Sequence, residues 1–412
     1  MAWLNEAVDF LTASVARPET RGPFLAVTGA SFALGLALSS VLSSRKPQEK
    51  VFPSPLKTLI PSLSDAEKKA LPLPVDVFPG ARDVPTPYGS IRVYEWGPED
   101  GPKVLFVHGI TTPSLALGGL AHALVDRGYR VMLFDLFGRG YSESPSDLPQ
   151  DERLFTTQIL LALASSPLSW TGAGSGRFSL IGYSLGGGIA AAFASHFPEL
   201  LSSLVLLAPA GLIRDSHIGL QTRLLYSKNL FPESLLVSLV GMRLRAGPLL
   251  PAKKKEDPKK DAPAEKAVDA NAALTQELSA ASQKQVLSRA YPNLTTLAAV
   301  SWQVHHHPGF VSAFMSSMRN GPILQETQLE SWRRLGRILT QRKEKQEVAG
   351  LRHDKVLIVC GVDDNIIIKD DFVADATAAL EGNVQFRFFN AGHEFPSTRY
   401  EELAQQLVEF WR

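Results

Sequence analysis

The pentapeptide Gly182-Tyr183-Ser184-Leu185-Gly186 constrains this chain more than any other feature. It follows the apolar run Phe178-Ser-Leu-Ile181 and leads into Gly187-Gly-Ile-Ala-Ala-Ala-Phe193, so a buried strand turns at once into a helix of small residues. A turn that sharp strains the backbone of the central serine and lifts its hydroxyl clear of the sheet. Glycines two before and two after are needed because strand and helix backbones come too close for side chains. With Gly and Ser each near 7%, roughly 0.15 such pentapeptides arise by accident in a chain this long. The placement between strand and small-residue helix therefore carries the weight.

Other short apolar runs have the same texture: Lys103–Val107, Arg130–Phe134, Leu204–Leu207, Val356–Cys360 and Val384–Phe389 read as buried strands, and Ile91–Trp96 alternates as a half-buried one. Helical patterns near 115–127, 150–166, 185–197 and 397–412 lie between and after them. Alternation of this kind implies a mostly parallel sheet covered on both faces. It breaks at 212–352, an insertion with helical patterns at 219–243, 273–290 and 325–346 and no convincing strand. Within it, 250–270 is rich in Lys, Pro and Ala without apolar periodicity and reads as a mobile, solvated loop. Residues 46–78, rich in Pro, Lys and Ser, read as a connecting arm, which leaves 79–211 and 353–412 as the core.

Composition removes several functions. Lys+Arg 42 against Asp+Glu 41 lacks the excess positive charge of nucleic-acid binders. Cys360 is the one cysteine, so neither an intrachain disulfide nor a Cys-rich zinc site can form. His305-His-His307 has adjacent imidazoles that project apart, with no i,i+4 pair or carboxylate at ligand spacing, so no metal is expected.

A serine on a strand-to-helix turn calls for a base and an acid in the chain order Ser, acid, His. Of the nine histidines, only His393 lies beyond a plausible acid, in Asn390-Ala-Gly-His393 directly after a strand. The acid should end the preceding strand, where Cys360-Gly-Val-Asp-Asp-Asn365 offers Asp363 and Asp364. Successive residues of an extended segment point opposite ways. Asp364 is taken as the acid, Asp363 as a turn or capping residue, and Asp215 as a remote alternative. Leu105-Phe-Val-His108-Gly109-Ile110 ends another strand, and the N–H groups of Ile110 and Leu185 are expected to stabilise an oxyanion. His108 is expected to brace that loop.

With Asp135-Leu-Phe-Gly-Arg-Gly-Tyr-Ser142 added, four signatures stand in order, and the chain resembles the α/β-hydrolase superfamily. The resemblance implies an α/β fold with an eight-stranded, mostly parallel sheet and a helical cap inserted after strand 6. Serine at the nucleophile position points away from epoxide hydrolases and haloalkane dehalogenases, and His-Gly-Ile differs from the triple-glycine oxyanion loop of many lipases. The apolar N-terminal segment and long cap are similar to fungal members. The expected activity is hydrolysis of an ester, thioester or lactone of a lipophilic small molecule, with no cofactor. Tyr183, Trp302 and Phe310 are expected to line the substrate pocket. The alternatives are C–C bond hydrolysis, acyl transfer or lyase chemistry by the same triad, or a non-catalytic binding protein on this fold.

Residues 1–45 stand apart. Between Arg21 and Arg45 there is no charge, and 22–44 is long enough as a helix to cross a membrane of ~30 Å. A signal peptide, a docked helix and a presequence are the competing readings, and Glu6 and Asp9 speak against the first and last. The expected location is membrane-associated and single-pass, with a cytoplasmic location as the alternative. Lys and Arg after the segment favour a cytoplasmic body, and the sequon at Asn293 a lumenal one.

Overall fold

All seven apolar runs become strands, and an eighth strand forms where the sequence has no such run. The computed structural model describes residues 50–171, 176–219, 222, 223, 226, 232–246, 284–345 and 350–412. Its main sheet contains β1 (Arg82–Val84), β2 (Ile91–Trp96), β3 (Lys103–Val107), β4 (Arg130–Phe134), β5 (Phe178–Tyr183), β6 (Leu201–Leu207), β7 (Val356–Gly361) and β8 (Val384–Phe389). They lie in the order β8-β7-β6-β5-β3-β4-β2-β1. Every pairing from β8 to β4 is parallel, whereas β2 joins β4, and β1 joins β2, antiparallel. Parallel neighbours need crossovers, which α1 (Gly118–Val125), α2 (Glu152–Ala164) and α3 (Leu185–His196) supply between β3 and β6. After β7 comes α8 (Lys369–Ala379), a helix of mixed composition that the periodicity does not reveal, and α9 (Tyr400–Trp411) closes the chain against α1.

Two expectations need correction. β2 is buried along its whole length rather than on one face. Its polar residues are neutralised in place: the Arg92 guanidinium meets Asp83 at 2.9 Å, and Glu95 meets Arg82 at 2.8 Å and Arg130 at 3.2 Å. Arg82 and Asp83 belong to β1, so the strand without an apolar run is held partly by charge. The expected arm over 46–78 is, from residue 50 on, part of the body. Val51–Phe52 pairs with Ser144–Pro145, a capping box at Ser64 starts the helix Asp65–Lys69, and Leu73, Val77 and Phe78 are buried. The Phe78 ring stacks on Trp96 with centroids 5.3 Å apart.

The cap lies between β6 and β7. Its described helices are α4 (Glu233–Arg245), α5 (Thr296–His306), α6 (Phe310–Asn320) and α7 (Gln325–Lys345). α7 matches the expected 325–346 closely. The helical spacing of Trp302, Phe310, Phe314 and Met315 on either side of Pro308-Gly309 belongs to α5 and α6, and Pro308 cannot continue α5. The loop expected at 250–270, most of the helix expected at 273–290, and the apolar segment 22–44 lie outside the described residues. Among the described residues no helix is long and apolar enough to cross a membrane.

Candidate active site

Ser184 joins β5 to α3 with φ 54 and ψ −120, a left-handed conformation rare for a residue with a Cβ. Its N–H donates to the Leu207 carbonyl on β6 at 3.0 Å, and its own carbonyl accepts from Gly187 and Ala210 at 2.8 and 2.9 Å. The flanking glycines are required sterically. A Cβ on Gly182 would sit 2.2 Å from the Gly186 carbonyl oxygen, and one on Gly186 2.1 Å from that of Val107.

The loops after β7 and β8 converge on each other and on Tyr183, the residue before Ser184. The Val362 N–H donates to the Phe389 carbonyl at 2.8 Å and the Asp363 N–H to that of Ala391 at 3.1 Å. Gly361 permits the approach, because a Cβ there would lie 2.4 Å from the Ala391 oxygen. Asp364 and His393 meet in the interior: the Nδ1–H of His393 donates to Oδ2 of Asp364 at 2.7 Å, with both side chains fully buried. The N–H groups of Ile366 and Ile367 donate to the other carboxylate oxygen at 2.8 and 2.9 Å, which locks the acid's rotamer. Asp363, the adjacent carboxylate, is exposed. Tyr183 ties this pair to the serine's strand. Its hydroxyl donates to the His393 carbonyl at 3.2 Å, and its ring lies 5.2 Å from the imidazole.

On the other side of Ser184 stands the loop after β3. The N–H groups of Ile110 and Leu185 are buried and, among the described residues, meet no hydrogen-bond acceptor. Buried N–H groups in that state are rare in folded proteins. His108 braces the loop. Its Nε2 accepts the Leu136 N–H at 2.9 Å, so the proton resides on Nδ1, which donates to the Gly109 carbonyl at 2.8 Å. Carbonyl and N–H of one trans peptide point opposite ways, so this bond aims the Ile110 N–H. Burial pushes the His108 pKa down to about 3, which keeps the ring neutral in that role. Asp135 closes the neighbouring turn, with one carboxylate oxygen accepting from Ser114 and the other from Tyr141, each at 3.0 Å. Burial raises its pKa, and those two N–H groups oppose the rise.

The three expected pocket residues separate. Tyr183 touches His393. Trp302 is buried in the cap with its ring 5.5 Å from Tyr141 and 5.7 Å from His306, and Phe310 stacks on Phe314 at 6.3 Å. Neither makes a ring contact with the triad among the described residues. The three consecutive histidines diverge as their spacing implies: His305 bonds to the Ser301 carbonyl at 2.7 Å, while His307 is buried with Nε2–H donating to Ser142 at 2.7 Å. Two side chains the motifs did not single out, Arg139 and Gln303, reach the loop after β3. Arg139 lies inside the Asp135–Ser142 signature, which marks the turn but assigns that side chain no partner.

With the fold and this geometry in view, comparison with known proteins defines the class. The family model for the alpha/beta hydrolase fold matches residues 102–399. The chain belongs to that family. A serine hydrolase-like protein of Danio rerio is 32% identical over 130 residues, 32% of this chain and 38% of that protein. One of Homo sapiens is 33% identical over 122 residues, 29% of this chain and 56% of that protein. The match thus spans roughly two fifths to just over half of these curated relatives. Among solved structures, carboxylesterase CesB (YbfK) from Bacillus subtilis superposes with TM-score 0.52 at 16% identity, covering 84% of this chain and 96% of that one. The 2-hydroxy-6-oxo-6-phenylhexa-2,4-dienoate hydrolase (BphD) from Rhodococcus sp. strain RHA1 gives 0.53 at 16% identity, covering 81% and 98%. Identities this low speak for the fold alone.

Proposed function

We propose that this chain is a serine hydrolase that cleaves an ester, thioester or lactone of a lipophilic small molecule through an acyl-enzyme. Ser184 Oγ attacks the acyl carbon as Nε2 of His393 takes the hydroxyl proton. The N–H groups of Ile110 and Leu185 stabilise the oxyanion. The proton then passes to the departing oxygen or sulfur. Water gives a proton to the same imidazole and its oxygen to the acyl carbon, which frees the acid and restores the serine. Asp364 holds the Nδ1–H tautomer and stabilises the imidazolium. The observation that carries this reading is the buried 2.7 Å contact between His393 and Asp364, with His393 also touching Tyr183, the residue that precedes the strained Ser184.

A fluorophosphonate probe tests it. The protein of residues 1–412 should label covalently, and its Ser184→Ala variant, with unchanged circular dichroism, should not; labelling that survives the substitution refutes the assignment. The charge-free stretch 22–44 supports a membrane tether, and a tethered enzyme would meet lipophilic substrates. Residues 1–412 should then sediment with membranes while residues 46–412 stay in the supernatant. Equal fractionation of the two would dismiss the tether.

A further inference from the structure

Three consecutive peptides of the loop after β3 are held by three different side chains, and two of those holds reach the cap. His108 takes the Gly109 carbonyl at 2.8 Å. The Ile110 carbonyl accepts Nε–H of Arg139 at 3.1 Å, and the Thr111 carbonyl accepts from Nε2 of Gln303, on α5. The Gly140 N–H donates to Oε1 of the same Gln303 at 3.0 Å, so a donor on one side and an acceptor on the other define the amide's orientation. Arg139 spends its other donors on the Phe137 carbonyl at 2.9 Å, Gln150 Oε1 at 2.9 Å and Ser317 Oγ, on α6, at 2.8 Å. Arg139, Gln303 and Ser317 are all wholly buried. None of these acceptors on Arg139 is a carboxylate, and a guanidinium buried among neutral groups is costly to keep.

The consequence lies in the dihedral angles of Ile110. Two rigid peptide planes flank its Cα, and φ and ψ are the only freedoms between them. His108 holds the first plane and Arg139 the second, while Gln303 holds the next one along. We propose that Arg139 and Gln303 are positioning residues that lock the oxyanion loop to the cap, so that the Ile110 N–H is aimed for catalysis only while α5 and α6 are seated. Cap closure over substrate and completion of the oxyanion hole are then one event. This rests on the serine-hydrolase reading above.

Steady-state kinetics on p-nitrophenyl butyrate with the full chain tests the lock. Gln303→Met keeps length and apolar bulk but removes both hydrogen bonds, and Ser317→Ala removes the α6 hydroxyl that accepts from Arg139. The lock predicts that kcat falls about tenfold in Gln303→Met and about threefold in Ser317→Ala with KM within about twofold, a fraction of the 10²–10³ for deleting an oxyanion donor outright. A role in cap packing alone would move KM or the melting temperature and leave kcat in place, which overturns the proposal. Should Gln303→Met fail to fold, Ser317→Ala decides alone. Wild type without Ser184-dependent turnover overturns the hydrolase reading and the lock with it; wild-type turnover with both variants at wild-type kcat overturns the lock only.

Discussion

Ser184 occupies a backbone conformation that costs on the order of 1–3 kcal/mol for a residue with a side chain, and it is kept there by hydrogen bonds at its own N–H and carbonyl. The adjacent aspartates show how much one residue of register matters. Asp364 points inward to His393 and Asp363 stays exposed, although Val362 and Asp363 form a turn rather than an extended segment, so the loop's own hydrogen bonds and not strand alternation set the two side chains apart. Asp364→Asn should lower kcat on the order of 10³–10⁴-fold, because an amide N–H2 turned toward Nδ1 favours the wrong tautomer. Asp363→Asn should stay within about twofold. Kinetics of the two variants on one activated ester checks this, and a reversed order would move the acid role to Asp363. His393 was reachable from the order of residues in the chain. Arg139 and Gln303 were not, because their partners are backbone carbonyls 29 and 192 residues away.

At the scale of elements, the site depends on how closely α3 crosses the sheet. Gly186 lies against the Val107 carbonyl, so a methyl group there must push the helix away from β3. Gly186→Ala should destabilise the fold by about 1–3 kcal/mol, as overpacking does, and lower labelling of Ser184. Urea denaturation read alongside probe labelling measures both, and unchanged values would mean that the contact relaxes freely. Elements with strong apolar runs were legible nearly to the residue: Ile91–Trp96, Lys103–Val107, Arg130–Phe134 and Val384–Phe389 are strands with those bounds. β1 was not legible, since Arg82-Asp-Val84 carries no apolar pattern and the charged partners of Arg82 and Asp83 both lie on β2. For α5 and α6 the helical spacing was visible on either side of Pro308-Gly309 but their bounds were not, because the break leaves each only about three turns.

For the whole molecule, residues 50–412 form one compact unit. Residues 50–78 therefore matter to stability, against the expectation of a connecting arm. Removing residues 1–78 strips Leu73, Val77 and Phe78 from the core, at about 2 kcal/mol each. That sum approaches the net stability of a typical domain, ~5–15 kcal/mol. A chain of residues 79–412 should be insoluble or melt far below one of residues 46–412. Equal melting temperatures would show that this segment contributes nothing to the core.

The sequence alone determined the class of fold and where the serine turn, the loop after β3 and the loop that carries His393 fall along it, because each follows from local pattern: apolar runs, glycine spacing and order along the chain. Tertiary structure decided the rest. Which carboxylate is shielded, why charges survive inside β2, and how the cap reaches the carbonyls beside Ile110 all depend on groups far apart in the chain. Their energies come from burial and hydrogen-bond geometry that exist only once the chain has closed on itself.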